Sequence, residues 1–210
     1  MQFTATLLKP TDTRYPKALQ NTAPPAQLWT IGNPQILSHK LFALFCSVKC
    51  PGDAILKTYD LARELRDAAI PVIGGFHSPM EQECLDLLLR GKQPVVICPA
   101  RGIQSMRIPV HWRQPLYEGR LLIVSPFASN SRRPTGGLAE QRNRLVGMLA
   151  DAIFIAYAEP EGKTERLCAD LIAQGKPVYT YALETSRSLI SMGANGCSIE
   201  TIENWLEFNA

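Results

Sequence analysis

Six short apolar runs recur from Leu41 onward: LFALFCS (41–47), PVIGG (71–75), PVVICPA (94–100), LLIVSPF (121–127), AIFIAYA (152–158) and PVYTYA (177–182). Each has the length of one strand, and the run of apolar residues marks strands buried on both faces. Helix-length segments separate them, over about 53–69, from Ser78 onward, and over 138–150 and 162–174. Strands alternating with helices imply a parallel sheet covered on both sides. The expected fold is therefore α/β: a doubly wound, Rossmann-like, mostly parallel sheet over 41–210. Residues 1–40 carry Pro10, Pro16, Pro24, Pro25 and Pro34, which rule out long regular elements there. They are expected to form an irregular extension packed on the core through Tyr15, Leu19, Leu28, Trp29 and Ile31. The tail from Glu184 is expected to be helical in two short pieces, broken near Gly193 to Gly196.

With 210 residues, 46% hydrophobic and 20% charged, the chain can bury a full core. Its net charge of +3 is too small to imply nucleic-acid binding without a local cationic patch. The six cysteines form no C-x-x-C pair, and with three histidines no metal-ligand spacing appears. Cys46, Cys98 and Cys168 lie in apolar runs and read as small core residues. There is no signal-peptide pattern and no run of membrane-spanning length, so the expectation is a cytoplasmic protein with free thiols and no membrane partner.

In a doubly wound sheet, ligands bind beyond the carboxyl ends of the strands. The residues just past each strand here are small, cationic or rich in backbone amides: Ser47 and Lys49, then Gly74, Gly75, His77 and Ser78, then Arg101, and finally Glu159, Gly162, Lys163 and Thr164. Gly74-Gly75 allows close backbone approach. Ser78, Pro79 and Glu81 read as a capping box opening a helix. Arg132 and Arg133 come after the fourth strand, so Lys49, Arg101, Arg132, Arg133 and Lys163 would converge as a basic, phosphate-binding edge. The turn Glu159-Pro160-Glu161-Gly162-Lys163-Thr164 opens a helix whose first amides should point outward, as phosphate cradles do. Taken singly, each cation is an ordinary solvated charge, and His77 an exposed neighbour of a cap.

On the helix 138–150, Leu138, Arg142, Leu145 and Leu149 share one face. A guanidinium in an apolar stripe needs a carboxylate, such as Glu81 or Glu159, backbone carbonyls, or an anionic ligand. Asn143 is placed to reach a neighbouring loop carbonyl, and Arg144 on a wetter face.

Several segments together resemble the DNA-processing protein A (DprA/Smf) family, a branch of the Rossmann-like superfamily that also contains the cytokinin-activating LOG proteins. RYPKALQNTAPPAQLWTIGN (14–33) looks like that family's Tyr-Pro…Pro-Pro…Leu…Gly lead-in. GGFHSPME (74–81) occupies the place of its Ser-Gly-Leu-Ala-x-Gly-Ile-Asp motif, with Glu81 at the aspartate. EQRNRLVGMLAD (140–151) is close to Arg-Asn-Arg-Ile, with Arg142, Asn143 and Arg144 in register. AEPEGKT (158–164) resembles the Glu-x-x-x-Ser-Gly-Ser-Leu turn, and SLISMGANG (188–196) the terminal Leu-Ile-x-x-Gly-Ala. The family's Gly-Ser-Arg turn is Cys46-Ser47-Val48 here, with Lys49 adjacent.

The resemblance implies a Rossmann-like core that binds single-stranded DNA or a nucleotide-type phosphate ligand, contacts a recombinase and pairs as a homodimer. The alternative is a LOG-like phosphoribohydrolase acting on nucleoside monophosphates. The LOG turn Pro-Gly-Gly-x-Gly-Thr-x-x-Glu has Leu167 at its glutamate here, so the acid needed at the leaving base is missing there. No Ser-His-Asp or Walker pattern appears. No catalytic residue, metal or cofactor is expected.

Overall fold

A computed structural model describes residues 3–20, 27–131 and 133–197. Nine strands form one sheet in the order β1-β2-β6-β5-β4-β3-β7-β8-β9. The strands are β1 (Thr6–Leu8), β2 (Leu28–Gly32), β3 (Phe42–Cys46), β4 (Val72–Gly74), β5 (Val95–Ile97), β6 (Leu121–Ser125), β7 (Ala152–Tyr157), β8 (Val178–Tyr181) and β9 (Asn195–Cys197). From β6 through β9 every neighbouring pair is parallel. The helices are α1 (Gly52–Asp67), α2 (Pro79–Leu88), α3 (Val110–Tyr117), α4 (Gly136–Leu149), α5 (Lys163–Ala173) and α6 (Arg187–Ser191). None is long and apolar enough to cross a membrane.

The six apolar runs are the parallel strands β3 to β8. Alternate residues of each feed the two sides of the sheet, which is why no run shows a wet face. Phe42, Leu44, Ala152 and Phe154 pack with α1 and α2 through Leu61, Leu65, Cys84 and Leu88. Ala43, Phe45, Ile153 and Ile155 pack with α4 and α5 through Leu145, Val146, Cys168 and Leu171. Gly147 lets those two helices close up, since a Cβ there would lie 2.5 Å from Leu171 Cδ2.

Three expectations are corrected. Residues before 41 contribute two strands: β1 pairs with β2, and β2 pairs with β6, both antiparallel. The prolines keep these elements short without keeping them out of the sheet; Tyr15 and Leu19 are buried, as are Leu28 and Ile31 of β2 itself, while Trp29 is half-buried. Secondly, Asn195–Cys197, at the expected break in the tail, forms a strand parallel to β8; the second helical piece lies outside the described residues. Thirdly, apolar spacing over 53–69 predicts an inner face of Ile55, Tyr59, Ala62, Leu65 and Ala69, and α1 keeps Ala62 and Leu65 of that set but is rotated at the other positions. Ala54, Thr58, Leu61, Ala62 and Leu65 are its buried residues, Ile55 and Tyr59 are half-covered, and Ala69 lies beyond the helix at φ 58°. The buried Thr58 hydroxyl donates to the Ala54 carbonyl at 2.6 Å and receives the Tyr181 hydroxyl at 3.2 Å, so a polar pair takes a place that apolar periodicity assigned elsewhere.

All six cysteines are free thiols. Burial pushes Cys84 and Cys98 up to about 12, and Cys168 and Cys197 up to about 11. These thiols keep their protons in the folded chain at a pH where the unfolded chain loses them. Stability is therefore fully present below the ordinary thiol pKa of 9.0 and falls as pH rises from there toward 11–12. Urea unfolding should show the midpoint dropping between pH 8 and pH 10.5; Cys98→Ala and Cys84→Ala should flatten that fall. A midpoint constant across the range would contradict thiol burial.

Candidate nucleic-acid interface

The order of strands reverses between β3 and β7. From β3 the chain builds outward through β4, β5 and β6; it then returns along α4 and builds the other way through β7, β8 and β9. The loops leaving β3 and β7 diverge at this switch point, where such folds open a crevice. They are joined at its base: Ser47 N–H donates to the Tyr157 carbonyl at 3.0 Å, and the Ser47 hydroxyl accepts the Glu159 N–H at 3.0 Å. Ser47 is buried by this role, whereas Val48 and Lys49 project outward, Val48 being 67% exposed. Lys49 lies 3.9 Å from Glu159, an exposed pair of small energetic weight.

The helices after these two central strands start without a side-chain cap. α1 begins behind Pro51 and α5 behind Gly162. By contrast, Ser78 caps α2 and Thr135 caps α4, its hydroxyl accepting the Leu138 N–H at 3.2 Å. The switch point is thus flanked by two helix N-termini whose partial positive charge no side chain of their own N-cap meets.

The turn Glu159–Thr164 is more internally committed than its sequence suggests. Gly162 N–H bonds the Glu159 carbonyl at 2.9 Å, and the Glu161 N–H bonds Glu165 Oε2 at 2.6 Å. Glu165 is buried, with its other oxygen receiving the Ser188 hydroxyl. The amide of Gly162 therefore does not point outward; the amides of the next residues open α5. Lys163 turns away from the crevice to Glu140, at 2.8 Å.

Glu81 organises the neighbouring strand ends. It is 5% exposed, and its carboxylate accepts three backbone N–H groups: Cys46 at 2.9 Å, His77 at 2.8 Å and Ser78 at 3.0 Å. The capping box inferred from Ser78 and Glu81 is present, with Ser78 Oγ accepting the Glu81 N–H at 3.2 Å. Because Glu81 also holds the Cys46 N–H, one carboxylate fixes the end of β3 against the start of α2. His77 is exposed beside it, and Gly74 is buried at the strand end.

Arg142 lies inward, 4% exposed, as its place in the apolar stripe requires. Its partner is neither Glu159 nor a direct contact with Glu81 but the Cys98 carbonyl beyond β5, at 3.0 Å from Nη1. Nε is buried without a partner. Burial lowers its pKa, opposed by the nearby negative charge of Glu81. The guanidinium lies against Gly75: a Cβ there would fall 1.7 Å from Nη1, which explains the glycine. Asn143 reaches no loop carbonyl among the described hydrogen bonds; it and Arg144 border a cleft between α4 and α5.

The remaining cations do not converge. Arg101 lies past β5 and Arg133 past β6, while Lys49 and Lys163 flank β3 and β7. At about 4.8 Å per strand, β6 and β7 stand roughly 19 Å apart, so these charges line an edge. Arg132 lies outside the described residues. The loops after β5 and β6 are laced together: Ser125 Oγ donates to the Arg101 carbonyl at 2.7 Å, and Gln104 Nε2 to the Phe127 carbonyl at 3.2 Å. The tie of Glu165 to Ser188 has no local signal in the sequence, and Arg166 is reached only by a helical count from Lys163, which places it one turn along the same face. Among the described residues, no cluster of three or more His, Cys, Asp or Glu could hold a metal ion.

The fold is a Rossmann-like domain with its crevice at the β3–β7 switch point, extended by an antiparallel pair of N-terminal strands. A family profile, DNA recombination-mediator protein A, matches residues 6–204, and the chain belongs to that family. No curated protein sequence matches the chain at a significant level. Among solved structures, DNA processing protein A from Streptococcus pneumoniae is similar with a TM-score of 0.80 and 18% identity, over 97% of this chain and 74% of that one. DNA processing protein A from Helicobacter pylori, solved for its single-stranded DNA binding mode, gives 0.78 and 19%, over 99% and 97%. A molybdenum cofactor binding protein from Rippkaea orientalis shares the fold more loosely, at 0.56 and 8% identity over 81% of this chain and 96% of that one.

Arg142 and Arg144 separate packing from exposure on one helix. Arg142→Ala should lower unfolding stability by about 3 kcal/mol, from the lost charged hydrogen bond and the void left against Gly75. Arg144→Ala, on the exposed face, should cost under about 0.5 kcal/mol. Urea midpoints in the absence of ligand measure both, and equal midpoints would place Arg142 outside the core.

Proposed function

We propose that this chain binds single-stranded nucleic acid through its phosphates, at the crevice between the carboxyl ends of β3 and β7. The observation that carries this reading is the pairing of two uncapped helix N-termini, α1 and α5, across a switch point bearing Ser47 and Lys49. Membership of the recombination-mediator family supports it, as does the single-stranded DNA binding of the H. pylori relative. Gly74, Gly75, His77, Ser78 and Glu81 shape the adjoining wall, with Arg142 behind it. Arg101 and Arg133 extend the cationic edge, and Gly162, Lys163 and Thr164 start α5. In this reading Glu81, Ser47 and Arg142 hold the backbone in place, and Lys49 and exposed amides meet the phosphate. DNA processing or uptake is the corresponding role, in the cytoplasm, with pairing into homodimers and contact with a recombinase as further parts of the proposal.

A phosphoribohydrolase reading has less behind it. Leu167 is buried in the core where that chemistry places a glutamate, and both oxygens of Glu165 are engaged.

Fluorescence anisotropy with a labelled oligo-dT should show binding that weakens with salt, log affinity falling by about 0.7 per phosphate neutralised. Lys49→Ala, exposed and without structural duty, should weaken binding severalfold and flatten that slope by about one phosphate. A mononucleotide at millimolar concentration should compete weakly. Absence of binding, or an affinity independent of salt, rejects the proposal.

A further inference from the structure

Helices α4 and α5 enclose a cleft of about 350 Å³ beside the strand-end site, with Lys163 common to both. Glu140, Asn143, Arg144, Lys163, Arg166 and Asp170 border it, with the small Ala169 leaving it open. Both helices run away from the carboxyl edge of the sheet, so both present their positive ends on that side. Three cations face two carboxylates, one of which is already neutralised: Lys163 Nζ holds Glu140 Oε1 at 2.8 Å. The Glu140 carboxyl sits below its usual range chiefly through Lys163, with Arg166 and Arg144 adding to the effect. Neither arginine takes part in the ion pairs described for the chain, and both are exposed. The cleft therefore carries a net charge of +1 and two planar, unpaired guanidinium groups, which suits a monoanionic phosphodiester.

Its position links it to the crevice. Lys163 borders the cleft and is also the first residue of α5, directly behind the turn that walls the switch point. A strand leaving the crevice on the α5 side meets Lys163 first and the two arginines next. We propose that the α4–α5 cleft is a second phosphate subsite, in which Arg144 and Arg166 clamp a backbone phosphate of a strand already held at the switch point. This rests on the reading of the switch point as a single-stranded nucleic-acid site. The cleft then sets the length of strand the domain covers.

The test is a length series: oligo-dT from roughly 5 to 20 nucleotides, spanning the ~4–16 nucleotides that small domains occupy. Affinity and salt slope are measured for the wild-type chain, Arg144→Ala/Arg166→Ala, Arg166→Glu, and Arg63→Ala on the distant end of α1. The double variant should bind the shortest oligonucleotide as wild type does and lose the severalfold gain on lengthening. Its salt slope on long oligonucleotides should fall by about 0.7 for the phosphate lost. Arg166→Glu should lose more, and Arg63→Ala should behave as wild type, which separates a local site from net charge. If the double variant tracks wild type at every length, or loses affinity equally at all lengths, the cleft is not a second subsite while the switch-point reading stands. An equal loss in Arg63→Ala also overturns it. If the wild-type chain binds no oligonucleotide, both readings fall together.

Discussion

Two buried opposite charges hold the carboxyl edge of the sheet together without touching each other. Glu81 satisfies three backbone N–H groups from the end of β3 and the start of α2, and Arg142 reaches across Gly75 to a carbonyl beyond β5. Peptide dipoles replace water around Glu81 and, through one carbonyl, meet part of the Arg142 guanidinium, whose Nε stays unpartnered. Between them they bind the ends of three adjacent strands to helices on opposite faces of the sheet, α2 and α4. The crevice beside β3 inherits its shape from that arrangement, because the Cys46 N–H taken by Glu81 is where the β3 loop begins.

This division of labour explains why so few of the polar groups near the crevice are free to bind anything. Ser47, Glu81, Glu165 and Gly162 spend their hydrogen bonds on the backbone of neighbouring loops. Val48, Lys49 and the helix ends are left to face outward. Rigid support beneath and a sparse cationic surface above suit a ligand recognised by its repeating phosphates more than by its bases.

Much of this was legible in the sequence, and the exceptions have physical causes. The parallel strands were readable because full burial demands unbroken apolar runs, and the α2 cap because Ser78, Pro79 and Glu81 act within one turn. The inward position of Arg142 followed from periodicity, but its partner did not: a carbonyl acceptor belongs to every residue and marks none. β1, β2 and β9 escaped because, unlike the central strands, they are only partly buried and carry no unbroken apolar run, so they owe their form to a neighbour and not to their own pattern. The rotation of α1 came from a threonine buried by pairing with Tyr181, a contact between residues far apart in the chain. The α4–α5 cleft depends on how closely two helices pack, which Gly147 and Leu171 decide together.

The pairing order of the strands also bears on how the chain is made. β2 emerges from the ribosome early, yet its only partner besides β1 is β6, with Trp29 opposite Ser125. β3 can pair with β4 soon after synthesis, but its longer register, Phe42 through Cys46 against β7, waits until Tyr157 has been added. The first strands made are thus among the last to be sealed, and apolar edges stand open during most of translation. Such late closure slows folding and leaves nascent chains dependent on protection from one another. The antiparallel N-terminal pair, by finally covering β6, replaces its five-residue apolar edge with the three-residue edge of β1, a shorter template for such chains to join along.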